Sequence, residues 1–207
     1  MKTERVLEMI NSNEIDLLKE LLEQEIYKKS LSSDDLTHQN AMKRYYKFKS
    51  KFDKPMCQAP TKVIYDNQEY YCFFDGFTLV LTKNICPDIQ LHIGDILDFK
   101  TLINGCKNGT TFSTDINQLI TAAKTLGYTY KKSELEKANY IGKFVKTHVN
   151  IAYLEKAFSI INDGKLTEVT YSKEHSPILI KTSIGYALVS PMRITEDDTD
   201  KHIVSAI

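Results

Sequence analysis

Apolar positions recur at three- and four-residue spacing in four stretches of the chain, and alternate between them. Near the N-terminus, Val6, Leu7 and Ile10 form a short stripe. Asn13 can cap a following helix in which Ile15, Leu18, Leu21, Leu22 and Ile26 share a face. After a break at 30–33, a second helix is predicted from Asp35 to Phe52, with Ala41, Tyr45, Phe48 and Phe52 on its apolar side. Pro55 and Pro60 end it. Strands follow at Lys62–Tyr65, Glu69–Phe74 and Phe77–Thr82, separated by turns at Asp66–Asn67 and Asp75–Gly76. The pattern is weakest over 84–112. There Ile89, Leu91 and Ile93 alternate like a strand, Ile96, Leu97, Phe99, Leu102 and Ile103 suit a short helix, and Asn104–Gly105 and Asn108–Gly109 read as turns. A third helix is predicted from Thr114 to Leu126, burying Ile116, Leu119, Ile120, Ala123 and Leu126 and closed by Gly127. A polar connector, Tyr128–Asn139, leads to a strand at Lys143–Val149. Asn150 then caps a fourth helix carrying Tyr153, Leu154, Ala157, Phe158 and Ile161. Gly164 closes it, and three short strands run on to Ile194.

Composition narrows the class of protein. With 26% charged and 42% hydrophobic residues, the chain is ordinary globular material and not a disordered tail. Its 27 basic and 27 acidic residues cancel, which excludes a strongly basic nucleic-acid binder on the total but leaves local separation open. Such separation exists on the second helix. Lys43, Arg44, Lys47, Lys51 and Lys54 gather opposite its apolar face, with Lys49 nearby and Asp53 the one acid in that stretch. Like charges at four-residue spacing repel slightly, so the stripe points either to an anionic partner or to a plain solvated lysine face. No apolar run reaches the ~20 residues that span a bilayer, and the mixed-charge N-terminus is no signal peptide. A cytoplasmic protein is expected. Cys57, Cys72, Cys86 and Cys106 lack the two-residue gaps of zinc or redox motifs and read as reduced, mostly buried thiols.

Enzyme signatures are missing. The eight glycines give no phosphate loop, and His38, His92, His148, His175 and His202 stand singly. The acid pairs Asp95 and Asp98, Glu134 and Glu136, and Asp197 and Asp198 read as surface charge, because catalytic carboxylates need a cleft. Ser176–Pro177 has no glycine elbow. A non-enzyme without cofactor or metal is expected.

The stretch from Lys143 to Ile194 resembles the end of a bacterial DNA sliding clamp. The likeness is carried by the strand, the Asn150-capped helix, the fragment Ser176–Pro177–Ile178–Leu179–Ile180 and the ending Gly185–Tyr186–Ala187–Leu188–Val189–Ser190–Pro191–Met192–Arg193–Ile194. A fainter echo lies at Asp75–Gly76–Phe77–Thr78–Leu79, where the family has an Asp–Gly turn, a bulky residue, usually an Arg, and a Leu. The clamp fold repeats a strand–helix–strands unit, and Leu36–Thr82 and Lys143–Ile194 are candidates for two copies. The resemblance implies an α+β fold with a clamp-type sheet and helices on one face. A helical segment over 1–33 would precede a domain over 34–207, with an insertion around 84–140 and a tail over 195–207.

Two interfaces follow from the resemblance. Clamp rings line their pore with helices whose Lys and Arg touch DNA phosphates loosely, a role that would fall to the lysine stripe of the second helix. They also carry an apolar groove for short linear peptides of polymerases and repair enzymes. By motif, that groove would use Gly76, Phe77, Leu79, Pro177, Leu188, Val189, Pro191 and Met192. Alternation in a strand makes one of Leu188 and Val189 ordinary core, and Ser190 stands where the family usually has methionine. One domain cannot encircle a duplex ~20 Å wide, so either several copies close a ring or the domain stands alone. The chain also continues past Ile194, with acids followed by Ile203, Val204 and Ile207, which could cover the groove or reach a neighbouring copy. The leading expectation is a non-catalytic clamp-like binder in DNA replication or repair, holding double-stranded DNA, linear peptides or both. The alternative is a phage or mobile-element protein that uses the fold to inhibit a host protein such as a nuclease.

Overall fold

The computed structural model describes residues 32–49, 60–84, 98–129, 139–195 and 201–206, together with Lys137 and six residues between 19 and 30. Those six, Lys19, Leu22, Glu23, Ile26, Lys29 and Ser30, are helical. The expectations for Val6, Leu7, Ile10, Asn13, Ile89, Leu91, Ile93, Cys57 and Cys86 lie outside the described residues.

Helix α1 runs Ser33–Lys49 and is followed by an antiparallel meander of β1 (Thr61–Tyr65), β2 (Gln68–Phe74) and β3 (Thr78–Thr82). Asp66 and Asn67 take φ of 48° and 58°, the paired left-handed conformation that a two-residue hairpin turn needs. The second half repeats the plan. Helix α4 (Ile151–Ile161) precedes a meander of β7 (Thr167–Tyr171), β8 (Ile178–Lys181) and β9 (Gly185–Val189). The third strands of the two meanders pair antiparallel, centred on Val80 opposite Ala187; with β4 (Thr110–Thr114) on the outer edge of β7 they give one seven-stranded sheet in the order β1-β2-β3-β9-β8-β7-β4. The relation is close to two-fold down to single bonds. Ser190, just after β9, donates its N–H to the Phe77 carbonyl in the β2–β3 turn at 2.9 Å. Lys83, just after β3, donates to the Ile184 carbonyl in the β8–β9 turn at 2.9 Å.

The fold is α+β, with antiparallel pairing throughout the large sheet. On one of its faces α1 and α4 lie side by side, and Ala41, Met42, Leu154, Ala157, Phe158 and Ile161 pack on Phe73, Val80, Ile180, Ala187 and Val189. The same core takes in α3 (Ile116–Thr125) and a four-stranded sheet in the order β10 (Pro191–Met192), β6 (Thr147–Asn150), β5 (Tyr140–Phe144) and β11 (His202–Ser205). The opposite face is covered by a helix the sequence pattern only hinted at. Helix α2 (Phe99–Lys107) lays Phe99, Ile103 and Cys106 on Val63, Tyr65, Cys72, Leu79, Leu81, Leu179 and Leu188. Burial pushes the Cys72 thiol up to about 12 and raises that of Cys106, so neither is a ready nucleophile.

Several expectations are corrected. Asn104–Gly105 is no turn but the interior of α2, because Asp98 caps the helix by accepting from the Thr101 N–H at 3.1 Å and carries it past Gly105. Leu102 and Leu126 are 42% and 48% exposed and face solvent. Tyr128 is core, not connector: it is buried, and its hydroxyl donates to Glu155 at 2.7 Å. The single strand expected over Lys143–Val149 is a hairpin of β5 (Tyr140–Phe144) and β6 (Thr147–Asn150), with Val145 at the turn at φ 54°. A β-branched residue seldom takes that conformation, so nothing in the sequence announced the turn. Among the described residues no helix is long and apolar enough to cross a membrane.

Gly185 sets the closest approach of the two meanders. A Cβ there would lie 2.0 Å from the Leu81 carbonyl oxygen and 2.9 Å from the Ile161 side chain. Gly185→Ala is therefore expected to lower unfolding stability by about 1–3 kcal/mol, the usual cost of overpacking. Urea denaturation checks this; an unchanged midpoint would mean β3 and β9 are not in register here.

Candidate functional site

The chain leaves the large sheet at the end of β9, passes through Ser190 and enters the small sheet as β10 (Pro191–Met192). Three loop ends converge on that junction. Thr78 and Ile178 both pair with Val189, so Phe77 and Pro177 flank Ser190 from either side. Pro191 and Met192 pair with Val149 and His148 of β6. Of the residues assigned to a peptide groove, the structure brings Gly76, Phe77, Pro177, Pro191 and Met192 to this rim, all exposed or half-buried. Leu79, Leu188 and Val189 stand behind it. Leu79 and Leu188 pair across β3 and β9 and are buried under α2, and Val189 is fully buried in the core on the other face. Both Leu188 and Val189 are thus core, because α2 covers the face that alternation alone left open.

The rim is pinned from below by a buried ion pair. Asp75 opens the β2–β3 turn. Its Oδ1 accepts the Phe77 N–H at 3.0 Å, the Thr78 N–H at 2.7 Å and the Thr78 hydroxyl at 3.0 Å, while its Oδ2 is held by the Lys156 ammonium. The two side chains are only 1% and 3% exposed. Lys156 comes from α4 and points into the protein. Its ammonium lies 5.0 Å from the centre of the Tyr153 ring. Tyr153 in turn stacks on Phe77, with centroids 4.8 Å apart and planes 11° from parallel. Gly76 at φ +88° gives the turn the conformation that lifts Phe77 outward, where it is 42% exposed. At the two-fold-related end of the sheet, the turn Thr182–Ile184 has no carboxylate in the place of Asp75. Sequence reasoning missed Lys156 and Tyr153. An isolated lysine among Tyr153, Ala157 and Phe158 on the helix face was the available signal.

His148 sits beside Met192. Burial, then the nearby Lys143 and His175 charges, hold its imidazole below its ordinary value of 6.5. On α1, the Lys43 side chain is half-buried and that of Arg44 exposed; the side chain of Lys47 and all of Lys51 and Lys54 lie outside what is described. No exposed lysine from α4 joins them, since Lys156 is buried. Among the described residues no group of His, Cys, Asp or Glu could hold a metal.

Fold and rim together define an α+β protein with a duplicated helix-and-meander unit and one exposed aromatic edge. In its chain path it is similar to bacterial sliding clamps. The beta sliding clamp of C. crescentus aligns at TM-score 0.49 and 11% identity over 79% of this chain and 64% of its own. The DNA polymerase sliding clamps of Pseudomonas aeruginosa and Bacillus subtilis align at TM-scores of 0.38 and 0.36, with 14% and 12% identity. They cover 62% and 64% of this chain and 43% of each clamp. The chain thus spans less than two thirds of the length of these clamps. No protein-family model and no curated protein matches it.

Two outcomes are expected. Lys156→Met strands the Asp75 carboxylate in the interior and should cost about 3–5 kcal/mol of stability, part of it regained in Lys156→Met with Asp75→Asn; denaturant midpoints of the three proteins decide. His148 binds a proton more weakly folded than unfolded. The stability tied to its neutral form is present above pH ~6.5 and drains away as pH falls below that value. His148→Gln should flatten the loss between about pH 7 and pH 5; parallel slopes in parent and variant would count against it.

Proposed function

We propose that the chain is a non-catalytic, sliding-clamp-like binding protein of DNA replication or repair. In this reading it receives short linear peptides at the rim of Gly76, Phe77, Pro177, Pro191 and Met192. One observation carries the reading: a large aromatic ring is held out to solvent by a turn that a buried ion pair fixes from beneath. Maintaining such a ring outside the core forgoes part of the ~2 kcal/mol that its burial would contribute. Beside it stand a half-buried proline and a methionine, an adaptable apolar surface of the kind peptide sites use. The clamp-like order of the second half, and the repeat of helix and meander in the first, support the assignment to a clamp-like role.

DNA is the second partner this reading allows, and the geometry favours it less. The basic residues of α1 gain no exposed lysine from α4, whose charges go to the buried pair with Asp75 and to a bridge from Lys124 to Glu155 at 2.9 Å. A cytoplasmic location and assembly with further copies belong to the same proposal.

Anisotropy titration with labelled peptides in which an acid precedes two or three apolar residues tests it. Phe77→Ala and Met192→Ala should each weaken binding about tenfold or more, as loss of an interface anchor does, while Arg44→Glu leaves it unchanged. If Phe77→Ala is silent and binding to a short duplex falls steeply with salt and with Arg44→Glu, the peptide reading gives way to DNA.

A further inference from the structure

The last described strand, β11 (His202–Ser205), is a tail laid along the edge of β5. It does not reach the rim at Pro191–Met192, which lies at the other edge of the same four-stranded sheet. Its pairing is parallel, His202 opposite Tyr140 through Ser205 opposite Lys143. The His202 N–H donates to the Asn139 carbonyl at 2.7 Å and the Ala206 N–H to the Lys143 carbonyl at 2.9 Å. Thr114 closes the end by donating its hydroxyl to the Ala206 carbonyl at 3.1 Å. The His202 ring stacks on Tyr140 with centroids 5.0 Å apart. Val204 and Ala206 press on the main core between β5 and α3, whereas Ile203 is 45% exposed. The docking is specific in register yet shallow.

Its tether is long for the task. Met192 is level with His148 and Lys143, and His202 with Tyr140. Three strand spacings and three residues along the strand put the two ends ~17 Å apart in a straight line. The residues 193–201 between them can extend to roughly 33 Å. The connection is therefore too long to dictate where β11 docks; its register is set by the β5 edge and the contacts made there.

We propose that the β5 edge, backed by α3, is a strand-acceptor site whose second occupant is the C-terminal strand of another copy of this chain. The fit is built into every copy: four residues in parallel register, two small apolar side chains facing inward, and a histidine ring for Tyr140. Strand addition of this kind draws its affinity from main-chain bonds and its selectivity from alternate side chains. Covalent connection over so short a stretch of chain gives the chain's own tail an effective concentration in the millimolar range, so the intact monomer keeps its strand in place. Exchange takes over when the tether cannot close, the route by which shortened hinges turn monomers into swapped dimers.

Removing residues 196–200 from the otherwise full chain leaves a connector of at most ~17 Å, with nothing spare to pass over the sheet. That protein should sediment at twice the monomer mass, and adding Val204→Asp should return it to monomer. A monomer at all concentrations, or a dimer indifferent to Val204→Asp, overturns the proposal. Should the shortened chain fail to fold, the full-length Val204→Asp protein is titrated with a labelled peptide of residues 199–207. Saturable binding at least tenfold tighter than to the parent, unchanged by Phe77→Ala, is the expected result. No binding, equal binding to the parent, or loss with Phe77→Ala (which would assign the peptide to the rim) overturns it.

Discussion

Strands β3 and β9 meet in register with Val80 opposite Ala187, and this pairing turns two half-units into one protein. Each half is a helix and a three-stranded meander, which alone would leave one sheet edge and one helix face unsatisfied. Joined, they bury both: the sheet becomes continuous and α1 and α4 share one core. The junction tolerates little, because Gly185 brings the backbones together at a point where no side chain fits. The cross-bonds from Ser190 to Phe77 and from Lys83 to Ile184 extend the same pairing into the flanking turns.

A near two-fold arrangement offers two equivalent sheet ends, and the sequence makes them differ. At one end Asp75 draws Lys156 out of the helix of the opposite half, coupling the β2–β3 turn to α4. At the other end the turn uses Thr182, whose hydroxyl receives the Ile184 N–H at 3.4 Å, and Asp163, which takes the Ser183 hydroxyl at 2.8 Å. Removing two charges from water costs several kcal/mol, and the attraction of a buried pair offsets this only when further hydrogen bonds satisfy it. Asp75 has three of them. Such a pair adds little net stability compared with apolar packing, so what it contributes is definition: one turn conformation, and one place for Phe77.

How much of this was readable beforehand divides along physical lines. The Asn150 cap, the core of α4, the Asp66–Asn67 hairpin and the closing strands follow from local rules, and the structure has them. The failures share a cause, which is that tertiary context overrode a local signal. Asn104–Gly105 reads as a turn until the Asp98 cap and the Ile103 and Cys106 contacts hold it helical. Val145 gives no turn signal, yet pairing of Phe144 with Thr147 demands one. At the candidate site the apolar motif found the neighbourhood but not the division of labour. Leu79 and one of Leu188 and Val189 read as rim, and all three are core, since only a covering helix from elsewhere in the chain decides which face is wet. Lys156 carries no sequence signal of its partner, because no local pattern pairs a helix residue with an aspartate 81 positions away.

The tail follows a related logic. Acids followed by apolar residues suggested a segment that seeks an apolar groove, and the nearest such surface by sequence was the rim beside Met192. The strand instead takes the β5 edge, which offers main-chain partners over four residues, whereas the β10 edge at the rim is two residues long and begins with Pro191, which has no N–H to give. An unpaired β5 edge would also be open to any extended segment. Covering it with a shallow parallel strand protects the sheet while leaving its outer side chains, Ile203 and Ser205, in solvent. The two ends of the small sheet are thereby given opposite characters: one edge closed by backbone pairing, the other left as an aromatic and methionine surface on which a partner must bring its own side chains.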